Sequence, residues 1–207
     1  MAALSLRELL HQGHAWRNRP APPTSWSFGG LAGRYVELTA RGMAARLTCA
    51  ARLVLEAQLA REPAAWVTAT ASSFHPPDLA EGGIDLDALV VARVPAHGLL
   101  PAAEILLRSG AFGIVVLDLD SGAADHEVPL ATQTRLVGLA QHHGTLLLCL
   151  TRAGVHAPHS LASLRAEASL HPLGGGRFTS EVEVVKDKCA PPGWRQSFVC
   201  RAAPGMG

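Results

Sequence analysis

The chain has almost no lysine: Lys186 and Lys188 are the only two, and every other basic side chain is Arg or His. It has no excess of charge of either sign. Its 18 Lys and Arg stand against 17 Asp and Glu, a formal net charge of +1, which excludes broad attraction to nucleic acid or anionic lipid and leaves any DNA contact to a local patch. No uncharged apolar run is long enough to span a bilayer; the longest candidate, 136–151, is interrupted by Gln141, His142, His143 and Gly144. The opening "MAALSLRELLHQGHAW" carries Arg7 and Glu8 inside its apolar run, which argues against a signal peptide and suits an amphipathic helix. Cys49, Cys149, Cys189 and Cys200 show no paired spacing, and three of them lie in apolar segments where a reduced Cys acts as a small hydrophobe. A cytoplasmic location without membrane attachment is the expectation. Internal repeats and low-complexity tracts are also missing.

What is present is a globular composition. Apolar residues make up 48% and charged residues 17% of 207, enough for one domain with a substantial core, or a domain plus a small appendage. Residues 1–28 read as the appendage. Leu4, Leu6, Leu9 and Leu10 give a first helix an apolar side, and "NRPAPPTSW" then breaks it with three prolines. A protruding helix of this kind docks on its own domain or on a neighbouring subunit, which makes Leu6, Leu9, Leu10 and Trp16 candidate interface residues.

Residues 29–207 read as the domain proper. Strand and helix alternate from Arg34 onward: "RYVELT", then a helix from Met43 with Leu47, Ala51, Val54, Leu55 and Leu59 at helical spacing, then "AAWVTAT" and "ALVVAR". The helix "LLPAAEILLRSG" ends at Gly110. "FGIVVLDLD" and "TLLLCL" are near-continuous apolar strands of the sort buried on both faces of a parallel sheet, with the helix "ATQTRLVGLAQHH" between them. Beyond them "AEASLHPL", "RFTSEVEVVK" and "RQSFVCR" predict antiparallel strands joined by "GGG" and "APPG" turns. The expected fold is α/β, with a mostly parallel sheet covered by helices and extended by C-terminal antiparallel strands.

The stretch "GRYVELTARGMAARLT" is a strand, a tight loop and a helix start, the setting of a phosphate-binding loop. The usual frame, GxxxxGK[ST], falls on Ala40, Ala45, Arg46 and Leu47. Loop length is kept while the chemistry is changed. Alanine disfavours the positive φ that glycine allows, Leu47 cannot ligate magnesium, and Thr48 comes one place late. Arg46 keeps positive charge with a different donor geometry. Asp118, at the end of "GIVVLD", stands where a magnesium-associated acid would.

"VEVVKDKCAPPGWRQSF", with "GRYVEL", "GIDLDALVVARVP" and "LLRSGAFGIVVLD" in the same order, closely resembles the RecA recombinase core over roughly 33–198. The resemblance implies a phosphate loop at Ala40 to Leu47 and Asp118 as the Walker B acid. It places the family's catalytic glutamate just after the next strand, yet 68–75 holds no carboxylate, so the general base is missing. The adenine-stacking aromatic falls near Asp78 and the γ-phosphate-sensing glutamine at Arg152. Lys186 and Lys188 match lysines that reach a neighbouring subunit's nucleotide in RecA filaments, an inherited interface surface. The two DNA-binding loops map after Asp118 and after Leu150. The first carries Asp120, Asp125 and Glu127, which repel phosphate. The second offers Arg152, His156, His159 and Arg165 but no aromatic to stack on a base, so recombinase-type DNA binding is not expected. His156 and His159 read as solvated loop histidines, not metal ligands. The separate C-terminal domain of RecA is expected to be absent, since the chain ends in "RAAPGMG".

The leading "LRELLHQGHAWRNRPAPP" is similar to the ImuA family of short RecA-like proteins. That resemblance implies a cytoplasmic, nucleoid-associated accessory factor without catalytic residues or cofactor. It would act in damage-induced translesion mutagenesis through an ImuB-type Y-family-like protein, an error-prone polymerase, RecA and copies of itself. Two alternatives remain open at this stage. One is a divergent ATPase that binds nucleotide weakly, with Arg46 in place of lysine; the other is a SulA-type inhibitor of cell division.

Overall fold

The computed structural model describes residues 25–40, 42–72, 74–120, 128–152 and 161–201. Leu6, Leu9, Leu10, Trp16, Asp125, Glu127, His156 and His159 lie outside the described residues. After a short helix α1 (Phe28–Leu31) come β1 (Tyr35–Ala40), α2 (Met43–Leu59), β2 (Ala64–Ala69), a one-turn α3 (Pro77–Ala80) and β3 (Leu89–Val94). They are followed by α4 (Leu99–Ser109), β4 (Ile114–Asp118), α5 (Leu130–His143), β5 (Leu146–Arg152), β6 (Leu164–Gly174), β7 (Arg177–Asp187) and β8 (Arg195–Arg201).

The strands form one sheet in the order β3-β2-β4-β5-β1-β6-β7-β8. The first six in that order run parallel; β7 is antiparallel to both of its neighbours. The C-terminal strands therefore continue the parallel sheet instead of forming a second layer. β1, β2 and β4 are buried along their whole length, as the near-continuous apolar runs require when helices cover both faces. One face packs Val36, Leu38, Val116 and Leu148 against α2. The other packs Tyr35, Val115, Leu117 and Leu147 against α4 and α5 through Leu99, Ala103, Leu107, Leu136 and Ala140.

Two details differ from expectation or refine it. The buried side of α2 is Ala45, Arg46, Cys49, Ala50, Leu53, Val54 and Ala57. Of the stripe expected from hydrophobic spacing only Val54 is fully buried; Leu47, Ala51 and Leu55 pack at its margin, and Leu59 is 76% exposed. Small side chains, not large ones, let this helix lie close to the sheet, where Cys49 Sγ sits 3.2 Å from Ser180 Oγ of β7. Gly110 ends α4 as expected, with φ +65, a conformation that favours glycine; a Cβ there would also push the exposed His143 ring aside, at 2.6 Å.

The start of the described chain is fastened to its far end. Trp26 is fully buried; its backbone N–H donates to Gln196 Oε1 at 2.8 Å, and Gln196 Nε2 donates back to its backbone carbonyl at 3.3 Å. Arg52 of α2 lies 4.5 Å over the Phe198 ring, covering one face of β8. No helix among the described residues is long and apolar enough to cross a membrane.

Candidate functional site

β1 leads away toward β2, across β5 and β4, while β5 leads to β6 on the far side of β1. Strands whose connections diverge in this way leave a crevice at their carboxyl ends, the usual ligand position in an open α/β sheet. Here the crevice is bordered by Ala40 at the end of β1, Asp118 at the end of β4 and the last residues of β5. The sequence-predicted residues Ala40, Ala45, Arg46, Leu47 and Asp118 all gather around it.

Arg46 fills it. The side chain is in the first turn of α2 and 3% exposed. Its Nη1 donates to the carbonyls of Thr151 at 2.9 Å and Ala40 at 3.4 Å, bridging the ends of β5 and β1. Its Nη2 donates to Asp120 Oδ2 in a short ion pair. The other oxygen, Oδ1, accepts from Arg152 Nε at 2.9 Å. Two guanidiniums thus share one carboxylate. Asp120, read from sequence as a free repulsive charge, and Arg152, read as a loop cation, neutralise each other here. A short apolar-then-acidic segment gives no hint of a partner 74 residues away.

The described residues around Arg46 are engaged in packing and local hydrogen bonds. Gly42 is extended, with φ −120 and ψ 144, and no described residue of this loop enters the left-handed region. Ala45 is buried and Leu47 is half-buried against the core. Thr48 Oγ1 donates to the Ala44 carbonyl at 2.8 Å, so its hydroxyl is turned onto its own helix. Asp118 is buried and accepts from Thr68 Oγ1 at 3.1 Å. Burial raises its pKa, opposed by the Thr68 hydrogen bond and the Arg46 charge. Among the described residues no group of three or more His, Cys, Asp or Glu could hold a metal ion.

The segment after β2 is used for packing. Phe74 stacks on Trp66 with ring centroids 4.3 Å apart, and Arg93 donates to the Phe74 carbonyl. Asp78 is exposed and 3.2 Å from His75 Nδ1.

Lys186 and Lys188 lie elsewhere. Lys186 pairs in register with Arg165, and Arg165 with Glu37, so it is level with the middle of β1. Lys188 N bonds the carbonyl of Ser163, whose own N–H bonds that of Tyr35, and Lys188 Nζ donates to the Leu161 carbonyl at 3.1 Å. The pair therefore runs toward the amino end of β1, away from the crevice. Burial lowers the Lys186 pKa, as do the charges of Lys188 and Arg165, while Glu37 opposes. Sequence reasoning missed Glu37: it is 1% exposed, accepts from Arg165 Nε at 2.6 Å and from Thr151 Oγ1 at 3.2 Å. Its place between Val36 and Leu38 of an apolar run was the available signal.

Gln133, in the first turn of α5, is also buried. Its Nε2 donates to the Val128 carbonyl at 2.8 Å, and its Oε1 accepts the Leu161 N–H at 3.0 Å.

The strand order, the crevice at the switch point and the added β6–β8 define a RecA-like α/β core. No protein-family model matches the chain. Among curated proteins it is similar to the Protein RecA of Kineococcus radiotolerans, 28% identical in an alignment 206 positions long that takes in 79% of this chain and 58% of that one. The chain thus spans less than two thirds of the relative's length, and the similarity agrees with the fold.

Proposed function

We propose that this chain is a non-catalytic RecA-like accessory protein of the DNA-damage response, acting by protein contacts in translesion mutagenesis. Its partners in this reading are an ImuB-type Y-family-like protein, an error-prone polymerase and RecA, in the cytoplasm at the nucleoid. The observation that carries the non-catalytic part is the crevice itself, where Arg46 is spent on two backbone carbonyls and Asp120. The absence of a carboxylate from 68–75 removes the general base as well. The partner assignment rests on the resemblance of the N-terminal segment to the ImuA family.

Two measurements test it together. Steady-state hydrolysis and calorimetric titration with ATP and magnesium should both be flat at micromolar protein. Pull-down by the same preparation should retain the ImuB-type protein or RecA, and lose it when residues 1–24 are deleted. Robust ATP turnover would overturn the reading.

A further inference from the structure

The two arginines at the crevice treat Asp120 as an oxyanion ligand. Each carboxylate oxygen receives a different guanidinium, Oδ2 from Arg46 and Oδ1 from Arg152. Charge-assisted contacts of this kind are the ones that recognise phosphate oxygens elsewhere. The arrangement is also graded from inside to outside. The Arg46 side chain is 3% exposed, that of Asp120 14% and that of Arg152 65%. The carboxylate lies between a deep cation and a cation at the mouth. Its position follows from the chain's own course, since it is two residues beyond the end of β4.

We propose that Asp120 is an intramolecular occupant of the crevice's anion position, so that neutralising its side chain exposes a site for a polyphosphate anion between Arg46 and Arg152. The proposal rests on the non-catalytic reading and deepens it: the site is occluded by a carboxylate, not merely stripped of its usual residues. In the wild-type chain the two guanidiniums face the Asp120 carboxylate with Asp118 close by, and an incoming anion must displace a covalently tethered competitor. With Asp120 neutral, Arg46 Nη2 and Arg152 Nε lose their shared charged acceptor and can donate to a bridging anion, while Arg46 Nη1 stays on the Thr151 and Ala40 carbonyls.

The probe is inorganic pyrophosphate without metal, followed by isothermal titration of the wild type, Asp120→Asn, Asp120→Ser and Asp120→Asn/Arg152→Ala, each checked for folding by circular dichroism. Either single variant should bind at least about tenfold more tightly than the wild type, and the double variant should lose that gain. A folded Asp120→Asn protein that binds no better than the wild type overturns the occlusion and leaves the non-catalytic reading standing. ATP hydrolysis by the wild type removes the reading itself. Should neither single variant fold, side-chain NMR of the wild-type arginines decides. An Arg46 guanidinium signal unmoved by pyrophosphate supports a tethered occupant, and a saturable shift overturns it.

Discussion

The two halves of the sheet are built differently. From β3 to β1 the strands are parallel, and β1, β2 and β4 are buried end to end between two helical layers. From β6 to β8 helix α2 covers one face only, and β8 alternates between half-buried and exposed residues along its length. On the open face Arg195 pairs with Glu183 at 3.0 Å, and Val199 is 63% exposed. The first half buys stability with shape, and the second tolerates water. Charge follows the same division. In the parallel half charged groups enter only at the strand ends or, as with Glu37, with a partner, because a buried unpaired charge is costly.

Mutations can break this contrast, beginning with the parallel half. Leu148→Ala, at a fully buried position of β5, should cost about 4 kcal/mol of unfolding free energy by denaturant titration. A cost below about 1 kcal/mol would mean that the core there is loose. Arg46→Ala should cost about 3 kcal/mol, because it leaves Asp120 with one cation and uncovers two carbonyls. Smaller and of opposite sign are two pH effects. Asp118 has a raised folded pKa, mainly through burial, so its ionisation removes stability as pH rises through that value. Asp118→Asn should therefore gain on the wild type as pH climbs out of the carboxylate range. Asp187 is also pushed upward by burial, but hydrogen bonds from the Arg34 guanidinium and the Cys189 amide, with the Arg34 charge, hold its pKa below the ordinary value. Its stabilisation is present above the unfolded pKa and is lost as pH falls through the folded one, so Asp187→Asn should lose at neutral pH and converge with the wild type in acid. Melting temperatures across the acid range separate the two slopes. Smallest of all, Val199→Thr on the open face should change stability by less than about 0.5 kcal/mol.

The same contrast explains what was legible in the sequence. Strands such as "GIVVLD" and "TLLLCL" announce themselves because a parallel sheet covered on both faces admits little but apolar residues. The stop at Gly110 and the turns around Gly174 and Gly193 were readable because their φ angles, +81 and +93 at the latter two, suit glycine. The face of α2 was not, since Cys49, Ala50 and Ala57 carry little hydrophobic signal and are chosen for closeness of approach. At the crevice the phosphate-loop frame and the resemblance to RecA pointed to Ala40 to Leu47 and to Asp118. The sequence could not show that Arg46, Asp120 and Arg152 satisfy one another, because that depends on three strand ends meeting. Glu37 escaped for the same reason, its partner Arg165 being 128 residues distant.

Gln133 has a mechanical consequence. Val128 and Leu161, 33 positions apart in the chain, are both tied to one carboxamide, one through its nitrogen and one through its oxygen. They are rivets on a single plate: rotating that amide by half a turn would set both loose at once.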